Sequence, residues 1–275
     1  MNTLLRRLFR PTTLAVALIG ALTFASDGAV AGAVTTPTLP TRPANASGYV
    51  LDGYGGLHPY AVGTATMPPA ATGGAYWPGW SIARGVAIPH QKPNWGLVVD
   101  GYGGLHPFGI GAPAPALTIT GGPYWKGWSI AKSVALMPDG SGGLVLDGWG
   151  GLHPFSINGG TPPKVAGGPW WQGWSIARGV VIMPNGAGGY VMDAWGGMHP
   201  FSVNGASPPP VLSGPFWLGS YTAYGLSELA DGTGGYIIDA HGRLSPYTSV
   251  AGTVPQLPTG TPLWTFKIAE SLANE

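Results

Sequence analysis

Asp147, Trp149 and His153 lie close together in one stretch, Gly143 to Phe155, which reads GLVLDGWGGLHPF. An acid and an imidazole at that spacing are the pair that general acid–base chemistry uses. They are also the beginning of a metal site, and a Trp between glycines offers a flat face to a ligand. Three other acids invite a chemical reading. Asp52 and Glu270 fall opposite each other if the C-terminal segment pairs with the first strand, and two opposed carboxylates repel or share a proton. Glu228 interrupts an apolar run, near Ser227 and Tyr224. The chain carries no nucleophile elbow, phosphate loop or carboxylate pair at recognisable glycosidase spacing.

The stretch is not unique, and that changes its meaning. Close copies begin at Gly48 (GYVLDGYGGLHPY), Gly96 (GLVVDGYGGLHPF) and Gly189 (GYVMDAWGGMHPF), and a worn one at Gly235 (GYIIDAHGRLSPY). The aspartates Asp52, Asp100, Asp147, Asp193 and Asp239 are 48, 47, 46 and 46 residues apart. A fixed period of this size marks a repeat architecture. Residues present in every unit are expected to build the unit. His58, His106, His153 and His199 each stand alone in their unit, and Ser245 takes the fifth place. Equivalent positions on separate units lie too far apart to share an ion at about 2.1 Å per ligand. The expectation is a His hydrogen-bonded within its own unit, with no metal and no cofactor. For the aspartates, folding the third hairpin about Pro138–Gly142 sets Lys132 opposite Asp147, Arg178 opposite Asp193 and Arg84 near Asp100, so each Asp pairs with a cation or accepts from turn amides. Tyr224 and Glu270 take that slot opposite Asp239 and Asp52, and a shifted register in the closing unit is expected to relieve the acid pair.

Each unit reads as four short strands. Ser129–Met137 (SIAKSVALM) alternates and is the first; Pro138–Gly142 is a turn, where Pro fixes φ and Gly allows positive φ. Leu144-Val145-Leu146 is the second, apolar at all three positions in all five copies, which predicts burial on both faces. Leu152-His153-Pro154-Phe155 is the third, and a short fourth follows at Ala116–Thr120 or Lys164–Ala166. The links GGPYWKGW and GGPWWQGW lead into the next unit, and their Trp77/Trp80, Trp125/Trp128 and Trp171/Trp174, with Trp217 and Trp264 alone in the last two units, are expected to pack in the core. Four strands per unit, about 47 residues per unit and doubly buried inner strands describe an all-β fold, a five-bladed β-propeller. The chain enters at a second strand (Gly48–Asp52) and ends on WTFKIAESLA (Trp264–Ala273), which resembles a first strand. The C-terminal strand is therefore predicted to pair with the N-terminal blade and close the ring without a free edge.

Composition fits this reading. Charged residues are 8%, and Gly (48) and Pro (29) exceed a quarter of the 275 residues while alternating with aromatics, as many turns between short strands require. Net charge is +1, and no Lys/Arg cluster lies beyond the N-terminus, so a nucleic-acid partner is not expected. The chain has no cysteine, which excludes disulfides and thiolate metal sites. Arg6, Arg7 and Arg10, the apolar Leu14–Ala25 and the small Ala29-Val30-Ala31 read as a secretory signal peptide over 1–31, too short in its apolar part to favour a spanning helix. Sec export is expected, with Arg6-Arg7 a weak twin-arginine match. Residues 32–47 read as a Pro/Thr/Ala-rich linker, and 48–275 as the propeller.

Five units running Gly-Trp, apolar strand, Pro-(Asp/Asn)-Gly turn, apolar strand, Gly turn, short strand and Pro-Pro resemble the five-bladed tachylectin-type lectins from Gly48 onward. The LDGxGGLHPF core also resembles repeats of uncharacterised secreted bacterial proteins. The lectin resemblance implies N-acetylated sugars held in pockets repeated around a ring. The residues themselves point to the turn-tip set Tyr54, Tyr102, Trp149, Trp195 and His241. Such a set either packs between blades or forms a rim of platforms on which sugar faces stack. The expected function is a secreted or cell-surface, monomeric module that binds glycans or cell-wall polysaccharide by repeated weak contacts. The alternatives are a protein-interaction scaffold, and a hydrolase with one site in the last two units.

Overall fold

The computed structural model describes residues 41–258 and 260–275. The expected signal peptide over 1–31 and residues 32–40 of the expected linker lie outside the described residues. The rest is all-β, arranged as the expected five blades. Among the described residues no helix is long and apolar enough to cross a membrane.

In blade 3 the innermost strand Ala131–Leu136 pairs with Gly142–Asp147, which pairs with Leu152–Ile157, all antiparallel. Blades 2 and 4 repeat this with Ala83–Ala87, Trp95–Asp100 and Leu105–Ile110, and with Ala177–Ile182, Gly188–Asp193 and Met198–Val203. Blade 5 uses Gly225–Glu228, Gly234–Ile238 and Leu244–Thr248. Blade 1 is split: Ala46–Asp52 and Leu57–Val62 come from the start of the chain, and Ala269–Asn274 from its end. The innermost strands contact one another in the cyclic order of blades 1, 2, 3, 4, 5 and back to 1, which closes the ring around an axis.

The outer edge differs from the expectation. The short strands that follow the third strands of blades 1, 2 and 3 cross to the next blade: Ala71–Thr72 pairs with Leu105–Ile110, Ile119–Gly121 with Leu152–Ile157, and Val165–Gly167 with Met198–Val203. Blades 2, 3 and 4 are thus four-stranded and blades 1 and 5 three-stranded. The crossing segment caps an edge that would otherwise be open. The last residues of the expected linker also join the ring. Thr41–Arg42 pairs in parallel with Val254–Pro255, the first blade strand begins at Ala46, and the Arg42 guanidinium donates to Thr233 and Thr248 of blade 5.

The core lies between blades, as the apolar second strands require. Leu144 and Leu146 pack on blade 4 residues Val180 and Val191, while Val145 packs on blade 2 residues Leu97 and Val99. Gly143 makes room for this: a Cβ there would sit 2.2 Å from the Ala135 carbonyl oxygen and 2.6 Å from the tip of the Phe155 ring.

Candidate functional site

Each repeated Asp builds its turn. Asp147 Oδ1 accepts from the amides of Trp149 (2.8 Å) and Gly151 (2.9 Å), and His153 Nε2 donates to Oδ2 at 2.8 Å. The arrangement recurs at Asp52–His58, Asp100–His106 and Asp193–His199. In blade 5 Ser245 replaces the His, and Arg243 reaches Asp239 Oδ2 at 3.6 Å instead. Burial pushes the carboxyls of Asp52, Asp100 and Asp193 up, but the His and the two amides outweigh it and hold them below the usual range. The imidazoles are therefore hydrogen-bonded within their own blades, as expected. Among the described residues no three His, Asp or Glu side chains gather as metal ligands.

The expected Asp–cation pairs do not form. A β-bulge sets Asp147 opposite Ala131 and leaves Lys132 as the extra residue. The same bulge displaces Arg178 from Asp193 and Arg84 from Asp100. The closing blade carries it too: a register shift between Leu51 and Asp52 sets Asp52 opposite Ala269 and turns Glu270 away, as expected, although blades 2, 3 and 4 share the shift. Glu270 instead approaches Arg84 of the next blade, Oε1 to Nη1 3.6 Å. Burial raises the Glu270 carboxyl, whereas Asp52 is lowered. The acid pair read from the sequence is not present.

The two tryptophans of the first three links divide their work, and the single Trp of the last two takes the first one's place. The first packs edge-on against the next blade's His: Trp77–His106 5.0 Å, Trp125–His153 5.0 Å, Trp171–His199 4.9 Å, and Trp264–His58 5.1 Å across the closing seam. Its other side meets the turn glycine of the blade behind. Gly150 has φ 92, and a Cβ there would stand 3.1 Å from the Trp171 ring, so both backbone and space require glycine. The second Trp was expected in the core and is not. Trp80, Trp128 and Trp174 are 51%, 49% and 44% exposed. The residues preceding the first Trp, Tyr76, Tyr124, Trp170 and Phe216, are more exposed still. The Gly of Trp-x-Gly-Trp turns the chain outward with positive φ, and each link is short, so its second ring projects from the face.

The turn-tip residues Tyr54, Tyr102, Trp149, Trp195 and His241 lie on this same face, all half-buried. The links dock on their backbones, as in the Trp171 amide donating to the Trp149 carbonyl at 2.7 Å. Trp149 sits between Trp128 (5.4 Å) and Trp170 (5.9 Å), Trp195 stands against Trp174 (5.6 Å), and Tyr102 against Trp80 (6.1 Å). The turn aromatics are thus back walls, and the link aromatics are the exposed flanks. The missed flanks had a signal: an aromatic before the first Trp in four of five links is more than a staple needs.

Glu228 belongs to the opposite half of the ring and is a blade-packing residue. Blades 2 to 4 bury Phe108, Phe155 and Phe201 in the third strand, facing Ile88, Leu136 and Ile182; blades 5 and 1 have Tyr247 and Tyr60, facing Glu228 and Asn274. Each phenol gains an acceptor: Tyr247 donates to Glu228 and Tyr60 to Asn274 Oδ1. Glu228 also accepts from the Gly234 amide and is 3% exposed, so its carboxyl is pushed up to about 8 by burial. It lines, with His90 and Asn274, an axial cavity of about 40 Å³, room for water rather than for a ligand. A carboxyl raised on folding stabilises fully below the unfolded value near 4.5 and loses that stability as pH rises to about 8. Glu228→Gln, which stays neutral, is expected to remove an alkaline loss on the order of a few kcal/mol. Urea midpoints at pH 5 and pH 8.5 check this; an unchanged pH slope would contradict it.

No family model matches the chain, and no curated protein matches it. Among solved structures it is similar to a chain in a structure described as the crystal structure of a nidogen/laminin complex, at 13% identity and a TM-score of 0.46, covering 84% of this chain and 98% of that one.

Proposed function

We propose that the aromatic face is a multivalent carbohydrate-binding surface on a secreted or cell-surface protein, directed at extracellular or cell-wall glycans. The observation that carries this reading is the repetition of one wall in adjacent sectors: Trp80/Tyr102, Trp128/Trp149/Trp170 and Trp174/Trp195. Exposed rings of this size serve contact rather than folding, and ring planes with a polar edge suit sugar faces. A surface repeated at fixed spacing matches a ligand that is itself repetitive, and several weak contacts on a rigid ring gain avidity. The resemblance to tachylectin-type lectins points the same way.

The test is a glycan array followed by a cell-wall pulldown. Trp128→Ala with Trp174→Ala is expected to weaken binding about tenfold or more, at roughly 1 kcal/mol per lost stacking contact, with the unfolding midpoint held. No retained glycan at millimolar ligand would end this reading. A second reading has its own observation. Towards blades 5 and 1 the wall gives way to exposed Leu218, Leu263 and Phe266, an apolar sector suited to a protein partner.

A further inference from the structure

The bulges that spoil the Asp–cation pairs have a common result. Arg84, Lys132, Arg178 and Glu270 are the bulged residues of the innermost strands of blades 2, 3, 4 and 1. Those strands surround the axis, so the four side chains converge on the mouth of the ring at the aromatic face. Arg84 and Glu270 meet at 3.6 Å across two blades. Burial above all, with Arg178 and Arg84, pushes the Lys132 ammonium down to about 8, and Glu270 opposes them; the three residues come from three other blades. Tyr224, the fifth blade's counterpart, brings no charge.

At the mouth the three cations face one acid, Glu270, which is engaged by Arg84, while Asp193 adds a weaker pull on Arg178. Arg84 and Arg178 are held in place by carbonyls of their own strand ends, Ala83 O at 2.8 Å and Ala177 O at 2.8 Å. Among the described residues the Lys132 ammonium donates no hydrogen bond and has no carboxylate within 4.0 Å. In a chain with so few charges, three cations and one facing acid at the mouth give a local excess of positive charge that attracts an anion. The cluster also runs into the aromatic wall. The Arg178 guanidinium lies over the Tyr221 ring at 5.6 Å, and the Tyr221 hydroxyl accepts from Trp174 Nε1 at 3.2 Å.

We propose that the axial mouth formed by Arg84, Lys132 and Arg178 binds the acidic group of an anionic glycan whose sugar rings lie on the surrounding aromatics. This rests on the carbohydrate reading above and adds charge to it. The ligand is an acidic polysaccharide bearing carboxylate or sulfate, and the ring discriminates against the neutral form of the same sugar. Guanidinium groups suit planar and tetrahedral oxyanions alike, so the two acid types must be separated by experiment.

Calorimetry with a galacturonate hexamer, its methyl ester, and a sulfated and an unsulfated oligosaccharide of equal length provides the test. At least one acidic probe is expected to bind about tenfold or more tightly than its neutral partner, and the stronger of the two identifies the acid. Lys132→Met, at a side chain that holds no hydrogen bond, is expected to reduce that preference about fivefold. Glu270→Gln removes the opposing charge nearest Arg84 and is expected to increase it. The opposite directions of these two variants separate a charge effect from damage to the fold. If acidic and neutral probes bind equally, and neither variant changes the ratio, the anion site is wrong while the carbohydrate reading stands. If none of the four probes binds and the glycan array is also empty, both fail together.

Discussion

A chain that stops at Ile268 is expected not to form the closed ring. The strand Ala269–Asn274 pairs with Gly48–Asp52 along its whole length and buries Leu272 and Ala273 against two blades. Asn274 also ties the seam, accepting from Tyr60 and donating to the Glu228 carbonyl at 2.9 Å. Removing Leu272 alone would leave a cavity that costs about 2–5 kcal/mol. Removing the strand adds an open edge on Ala46–Asp52 and strips one side of the blade 1 core, against a total stability of about 5–15 kcal/mol for an ordinary domain. The truncated chain should lose its near-UV circular dichroism and associate on size exclusion. Adding a peptide of residues 269–275 should restore part of the signal. A sharp thermal transition for the truncated monomer would show that the seam is dispensable.

The second large effect is expected at the repeated Asp. Asp147→Ala removes the acceptor for two turn amides and for His153 at a site that is almost wholly buried. Leaving the turn amides without their acceptor costs about 1–3 kcal/mol for each group shut away from water. Asp147→Asn keeps an oxygen for the amides and can donate its NH₂ to the imidazole in its other tautomer, so it should cost about 1 kcal/mol. Urea midpoints of the two variants check the order. Equal losses would mean that the charge, and not the turn geometry, is what matters. The related carboxyls of Asp52, Asp100 and Asp193 are lowered on folding, so their contribution is present above the ordinary Asp value and is lost as pH falls through the lowered one.

How the fold could be read in advance is clear from particular residues. Leu144-Val145-Leu146 is apolar on both sides of a period-two strand, and only a sheet lying between two others satisfies that. The aspartate spacing set the number of blades, and the first-strand likeness of Trp264–Ala273 set the closure. All three are local signals that survive without knowledge of neighbours. The crossing of Ile119–Gly121 to the next blade left no such trace, because a three-residue strand pairs equally well on either side.

The site was less legible. Tyr54, Tyr102, Trp149, Trp195 and His241 stand on the face expected of turn tips, yet how much of each ring faces solvent depends on which link aromatic folds against it. Trp171 and Trp174 stand three residues apart in one link and have opposite fates, one stapled between Gly150 and His199 and one projecting. Lys132 was placed opposite Asp147 by counting along a regular hairpin, and one bulge moved it to the axis. The sequence alone determined what depends on period and polarity: five blades, doubly buried inner strands, a His bonded within its own blade and a split blade. Only the tertiary structure decided what depends on one extra residue in a strand or one side of a ring, because a bulge reorients a side chain while leaving the hydrophobic pattern unchanged.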